Sequence, residues 1–200
     1  MEELEVPSLD ELRERKTRTF ERRVALTTSV YAMVLAITSL GGNNATKEML
    51  LAQQQASDQW AYYQAKSIKG HQTRSQRVQL ELEMALGDRG PKLSEEARKR
   101  TETALAQSLE EEKKYQGEEV EIQKVAKEWE GERDMNRTKD AYFDFAEVLL
   151  QIAIVMASVS ILADTPAIYH FSLGLAVTGG LLSMNGYLLL VRIPFLHGGH

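Results

Sequence analysis

Three apolar stretches, at 24–40, 146–163 and 171–191, bracket about a hundred residues of charged, helix-forming sequence. Apart from Glu147 at one edge, none of the three holds a Lys, Arg, Asp or Glu. Each is close to the ~20 residues a helix needs to cross a ~30 Å hydrocarbon core. The stretch between the first two is as polar as a soluble coiled coil. This alternation predicts an all-α integral membrane protein with three transmembrane helices and a long extramembrane antiparallel helical hairpin.

The expected layout is a basic helical arm at 1–23, a span at 24–40, the hairpin at 41–145 with its turn at 87–93, and spans at 146–163 and 166–193. A short tail, 194–200, follows. A cleaved signal peptide fits the first run poorly, because its apolar core is too long and no A-x-A-like site precedes Gly41. A retained signal-anchor helix fits better. Mean hydropathy is mildly negative only because it averages membrane-grade segments with a hairpin rich in Glu, Lys and Gln. The net charge of −5 and the lack of a basic surface motif argue against a nucleic-acid partner. The chain has no cysteine, which removes disulfides, thiolate catalysis and Cys-based metal sites.

Local signals fill in this outline. Ser8 and Glu11 form a capping-box pattern that starts a helix running into the first span. Gly41, Gly42, Asn43 and Asn44 read as a hinge or short break after that span. Beyond it Ala45, Met49, Ala52, Ala56, Gln59 and Tyr63 recur at steps of four and three, the coiled-coil period. Val78, Leu82 and Ala85 are expected to continue that apolar face, and Gly70 to bend it. The return helix opens at Ser94 with an acidic first turn. Its seam reads Ala97, Thr101, Ala104, Ser108, Glu111, Tyr115, Glu118, Ile122, Val125 and Trp129. Two such arms would extend ~70 Å at 1.5 Å per residue. Small and polar seam residues bury little area, so neighbouring copies or another protein are expected to cover the remaining faces. Pro166 suits the first turn of the third span, with Asp164 or Thr165 as its cap.

The stretch 37–69, ITSLGGNNATKEMLLAQQQASDQWAYYQAKSIK, is distinctive, above all around Trp60, Ala61, Tyr62 and Tyr63. It resembles a bacterial membrane-protein family, domain of unknown function 4337. The family's layout is similar throughout: a basic N-terminal arm, one span, a helical middle and a final pair of spans. The resemblance implies a prokaryotic membrane protein and carries no activity or active residues with it.

Candidate sites are correspondingly few. Trp60, Tyr63, Tyr115 and Trp129 read as large packing residues in a thin seam rather than as an aromatic ligand cage. Gly179 and Gly180 mark close helix–helix contact in the third span, with Gly174 and Gly186 on the same helix. Arg192 is expected to emerge near Asp140 and Asp144 and to pair with one of them at the membrane surface. His197 and His200 on a terminal tail lack the further ligands a metal site needs, so no cofactor or metal is expected. No hydrolase, nucleotide-binding or zinc-protease motif is present. The absence of a central charge in the spans argues against a pump.

The expectation is therefore a non-enzymatic, membrane-anchored interaction or scaffold protein. It would partner the lipid bilayer and either its own copies or other membrane subunits. A homo-oligomeric channel is the alternative. Six Lys/Arg within 13–23 place the N-terminus in the cytoplasm and the hairpin in the periplasm of a bacterial inner membrane. Lys47, Arg133, Arg137, Lys139 and Arg192 oppose that orientation.

Overall fold

The computed structural model describes residues 9–87, 94–191 and 193. The Ser8 capping box, the turn after Gly87, Arg192 and the His197/His200 pair lie outside them. Three long helices account for almost all of the described chain: α1 Leu9–Gly87, α2 Glu95–Leu162 and α3 Pro166–Leu188. No strand occurs among the described residues, so the fold is all-α. Their lengths follow from where proline is. No proline lies within 9–87 or 95–162, and Pro166 stands at the first position of α3. Each of the three helices contains a stretch long and apolar enough to cross a membrane.

The link between α2 and α3 is tight. Asp164 takes a left-handed φ of 44°, a conformation that Asp tolerates better than most residues. The Thr165 backbone N–H donates to the Ser160 carbonyl at 3.2 Å. Thr165 is the N-cap of α3, but its hydroxyl donates backward to the Ala163 carbonyl at 2.8 Å and caps nothing. Pro166 then opens the helix where a missing N–H is harmless.

The chain divides into two compact units, Met1–Met49 with Asp134–His200, and Leu50–Arg133. In the first unit, parts of all three helices pack around Val24, Tyr31, Leu150, Ala153, Ala157, Tyr169 and Ala176. Phe20 meets the Tyr169 ring edge-on, with centroids 5.9 Å apart. Many other inward residues are small or hydroxylated: Thr38, Ala146, Ser160, Ser172 and Ser183 are all buried. Thr38 and Ser183 are joined by a buried hydroxyl hydrogen bond of 2.8 Å. Long stripes of large aliphatic side chains nevertheless point outward. Leu26, Val30, Met33, Ile37 and Leu40 form an exposed stripe on α1, as do Val148, Ile152, Val155 and Val159 on α2 and Leu173, Val177, Leu181 and Met184 on α3.

Two expectations need correction in this unit. The helix runs through Gly41–Asn44 without interruption, and among the described residues no glycine has a positive φ. These glycines admit an aromatic ring, described below, instead of breaking the helix. The third helix ends at Leu188 rather than 193, with Leu189 at φ 49°. The Asn185 side chain takes over the backbone there, accepting from the Val191 N–H at 2.9 Å and donating to the Val191 carbonyl at 2.8 Å.

In the second unit, burial on α1 falls at Ala52, Ala56, Gln59, Tyr63, Lys66, Gly70, Thr73, Arg77, Leu80 and Met84. That line keeps the four-three period throughout, straight past Gly70. Cross-helix contacts ascend on α1 as they descend on α2: Gln53 with Arg133, Trp60 with Glu130, Lys66 with Glu118 and Arg77 with Glu112. Val78 and Leu82 do not continue this face. Both are half exposed or more, and Ala85 is exposed as well. The inward residues at that level are Arg77, Leu80 and Met84, so period decides the register and local hydrophobicity does not. On α2 the inward acid is Glu112, not Glu111, and Ala126 is more deeply buried than Val125.

The Tyr31 hydroxyl is buried without a hydrogen-bond partner. Thr27 and Ser172 stand beside it, but their hydroxyls donate to the Val24 and Tyr169 carbonyls. An unpaired buried hydroxyl costs about 1–3 kcal/mol. Tyr31→Phe is therefore expected to leave thermal stability in detergent unchanged or to raise it. Thr38→Val, which strands Ser183, is expected to lower stability by about 0.5–1.5 kcal/mol in the same melts.

Candidate functional site

The most constructed region of the first unit surrounds Phe143, which is almost fully buried. Three glycines make room for its ring. A Cβ on Gly41 would lie 2.8 Å from the ring, one on Gly186 3.0 Å from it, and one on Gly42 3.2 Å from the Phe143 Cβ. Tyr187 closes the cluster. Its ring meets Phe143 edge-on at 4.8 Å, and its hydroxyl donates to the Ile37 carbonyl at 2.9 Å. The Gly41 position is also within 2.6 Å of that hydroxyl.

Against this cluster lies a half-open cavity of about 220 Å³, lined by Gly41, Asn44, Ala45, Glu48, Asn136, Lys139, Phe143, Gly186 and Tyr187. Helical spacing brings the polar groups together: Asn44 and Glu48 are one turn apart on α1, as are Asn136 and Lys139 on α2. Asn136 is buried and its Oδ1 lies 3.4 Å from the Lys139 ammonium. The recess offers charge of both signs and two carboxamides. Its one hydroxyl, on Tyr187, is already committed to a backbone carbonyl.

Asp140 and Asp144 are one turn apart on α2, and Asp140 accepts the Thr46 hydroxyl at 2.7 Å. Partial burial, then the neighbouring Asp140 and Glu147 charges, pushes the Asp144 carboxyl above its ordinary range. Their expected partner, Arg192, is outside the described residues. The neighbouring segment is tied to Tyr142, whose hydroxyl donates to the Val191 carbonyl at 2.8 Å and accepts from the Ile193 N–H at 2.9 Å. Among the glycines of α3, Gly179 approaches Leu150 and the Ala146 carbonyl to about 3 Å of a would-be Cβ. Gly174 and Gly180 face open space.

In the second unit the aromatic residues do not form one group. Trp60 and Tyr63 meet edge-on at 5.5 Å, and the Trp60 indole N–H donates to Glu130 at 3.0 Å. Tyr115 faces the Lys66 ammonium, which lies 5.6 Å from its ring centre and 5.5 Å from that of Tyr62. The same ammonium donates to Glu118 at 2.6 Å. The chain's own lysine thus occupies the space between rings that a cationic ligand would need. Trp129 is half-buried. Among the described residues, no three His, Cys, Asp or Glu side chains are grouped as a metal site requires.

Residues 20–189 match the family model described as Domain of unknown function (DUF4337). The chain belongs to that family. No curated protein and no solved structure matches it. The match spans both compact units and includes the Phe143 cluster, the lined cavity, the Trp60–Glu130 contact and the Lys66–Glu118 pair. Arg192 falls just beyond it. The glycine cradle was open to sequence reading as a Gly-Gly pair inside a span-grade helix, but Phe143 lies a hundred residues away and nothing local couples them.

Two outcomes follow from this geometry. Gly41→Val forces its side chain into Phe143 and Tyr187, and overpacking of that kind costs about 1–3 kcal/mol. Gly180→Ala meets open space and is expected to be neutral or stabilising by up to ~1 kcal/mol through helix propensity. Thermal melts of the two variants in detergent should differ in that direction. The Lys66 hydrogen bond holds the Glu118 carboxyl below its ordinary range, and Glu118 in turn holds the Lys66 ammonium above its own. The carboxylate's contribution is present above its ordinary range and is lost as pH falls through the depressed value. The ammonium's contribution is present below the ordinary lysine range and is lost as pH rises through the elevated value. Glu118→Gln is expected to remove both limbs from a pH series of helicity measured by circular dichroism.

Proposed function

We propose that this protein is a non-enzymatic, membrane-anchored scaffold, with three transmembrane segments and a coiled-coil hairpin serving as spacer or interaction arm. One observation carries the reading: many inward positions of the first unit are small or hydroxylated, while long stripes of large aliphatic residues on all three helices face outward. In water, burying a Leu or Ile side chain is favourable by about 1.5–3 kcal/mol, so a soluble bundle arranges itself the other way. In hydrocarbon, lipid tails solvate Leu as well as a protein core does, and association rests on close backbone approach between small residues. The Gly179 contact with the Ala146 carbonyl is of that type, and Gly41 and Gly186 make room for the Phe143 ring.

The hairpin reading draws on the descending cross-helix contacts and the unbroken four-three burial on α1. The N-terminus is assigned to the cytoplasm and the hairpin to the periplasm of a bacterial inner membrane, on the basic residues of 13–23. A channel reading is weaker. Gln151, Ser158 and Thr178 are exposed on the spans, yet each donates to its own helix one turn back. They form no wettable stripe.

Fractionated membranes provide the test. The protein is expected to stay in the pellet through washes with high salt and alkaline carbonate, and to leave it only with detergent. Release by carbonate alone would refute the anchored architecture.

A further inference from the structure

The face of α1 turned away from α2 in the second unit has a pattern of its own. Every third or fourth residue, from Leu50 through Ala61, Ile68, Val78 and Leu82 to Ala85, is exposed. The steps are again four and three, two residues out of phase with the inward line. At ~100° per residue that offset puts the line on the opposite side of the helix. The remaining positions on it are Gln, Ser and one His, so no Lys, Arg, Asp or Glu occupies it. Charge elsewhere makes this informative. Residues 95–133 of α2 carry twenty Lys, Arg, Asp and Glu, and residues 50–87 of α1 carry seven, every one of them off the line. The outer face of α2 is dressed for water. The outer line of α1 is a second heptad seam without a helix on it.

We propose that this line is where a second copy of the chain docks, α1 against α1, parallel and in register. The inference rests on the membrane anchoring proposed above, because two copies held in one bilayer with one topology run in the same direction. In a parallel pair, each residue of the line meets its own counterpart. Ile68, Val78 and Leu82 then form apolar layers, and the Gln and Ser positions form layers that can hydrogen-bond across the pair. The flanking charges are compatible with self-association. Residues bordering such a seam meet the copy's residue five positions away. Arg74 would face Gln79, Glu81 would face Leu86, and Asp58 would face Gln53. No like charges are brought together. The arrangement also explains why Val78, Leu82 and Ala85 have heptad spacing although they do not touch α2.

The absence of native cysteine makes the test direct. Full-length variants Ile68→Cys, Ser75→Cys and Leu82→Cys, one at a time, are oxidised with copper phenanthroline in native membranes. Lys114→Cys and Glu121→Cys, exposed on α2, serve as controls. Each of the three line positions is expected to yield several-fold more disulfide-linked homodimer than either control. Dimer formation no greater at the line than at the controls would overturn the proposal. So would a cross-link from the line to a different protein, or dimers formed only by mixing cysteines at distant positions of the line, as an antiparallel pair requires. Carbonate washing of the same membranes is read separately. Retained protein without line-specific dimers rejects the docking surface and leaves the anchored reading intact, whereas release rejects the anchor itself.

Discussion

The closeness of three backbones around Phe143 is the constraint on which the first unit depends. Its ring occupies space that exists because Gly41, Gly42 and Gly186 have no side chains. Short inward residues elsewhere, such as Ala146, Ala153, Ala157, Ala176 and Gly179, keep the helices at similar range. A helix that spends its inner face on small residues must place its Leu, Ile, Val and Met on the outer one. The exposed aliphatic stripes are therefore a consequence of the packing, and they set what solvent the unit can tolerate. A contiguous apolar exterior of that extent is unfavourable in water. In lipid it is the expected surface.

The second unit solves a different problem with similar means. Ala52, Ala56 and Ala126 bring α1 and α2 close, but they bury little apolar area. Directional contacts add to it: the Trp60 indole on Glu130, the Lys66 ammonium between two tyrosine rings and on Glu118, and the Arg77 guanidinium on Glu112. Such contacts fix which residues face one another better than they add stability, since ion pairs that keep partial access to water contribute little each. On the proposed reading, a thin two-helix arm of this kind is completed by further helices. The uncharged outer line of α1 is where its chemistry permits one.

Element identity was legible in the sequence because two strong signals agreed, the proline positions and the apolar run lengths. The inward lines were legible from the period, through Ala45–Tyr63 on α1 and nearly all of the return seam. Where a residue's type and its phase disagree, phase decides which way it faces. The apolar character of Val78 and Leu82 points them inward, whereas the period running from Ala52 points to Arg77, Leu80 and Met84. Gly41 and Gly42 suggest a break because glycine weakens helices in water, whereas their missing side chains make room for the Phe143 ring. The Phe143 cluster, the lined cavity and the Asn185–Val191 closure join residues distant in sequence or depend on a helix end. No local pattern announces them.

The central claim is that the outward stripes of the first unit face lipid. Spin labels at single cysteines replacing Val30, Met33, Ile37 and Val155, with Lys69 and Lys114 as water-facing references, test it in reconstituted bilayers. Power-saturation electron paramagnetic resonance would measure collisions with oxygen, which concentrates in hydrocarbon, and with a water-soluble nickel chelate. The account expects high oxygen and low nickel accessibility at the four stripe positions and the reverse at the two lysines. Nickel accessibility at Val30, Met33 and Ile37 matching that at Lys69 would contradict it.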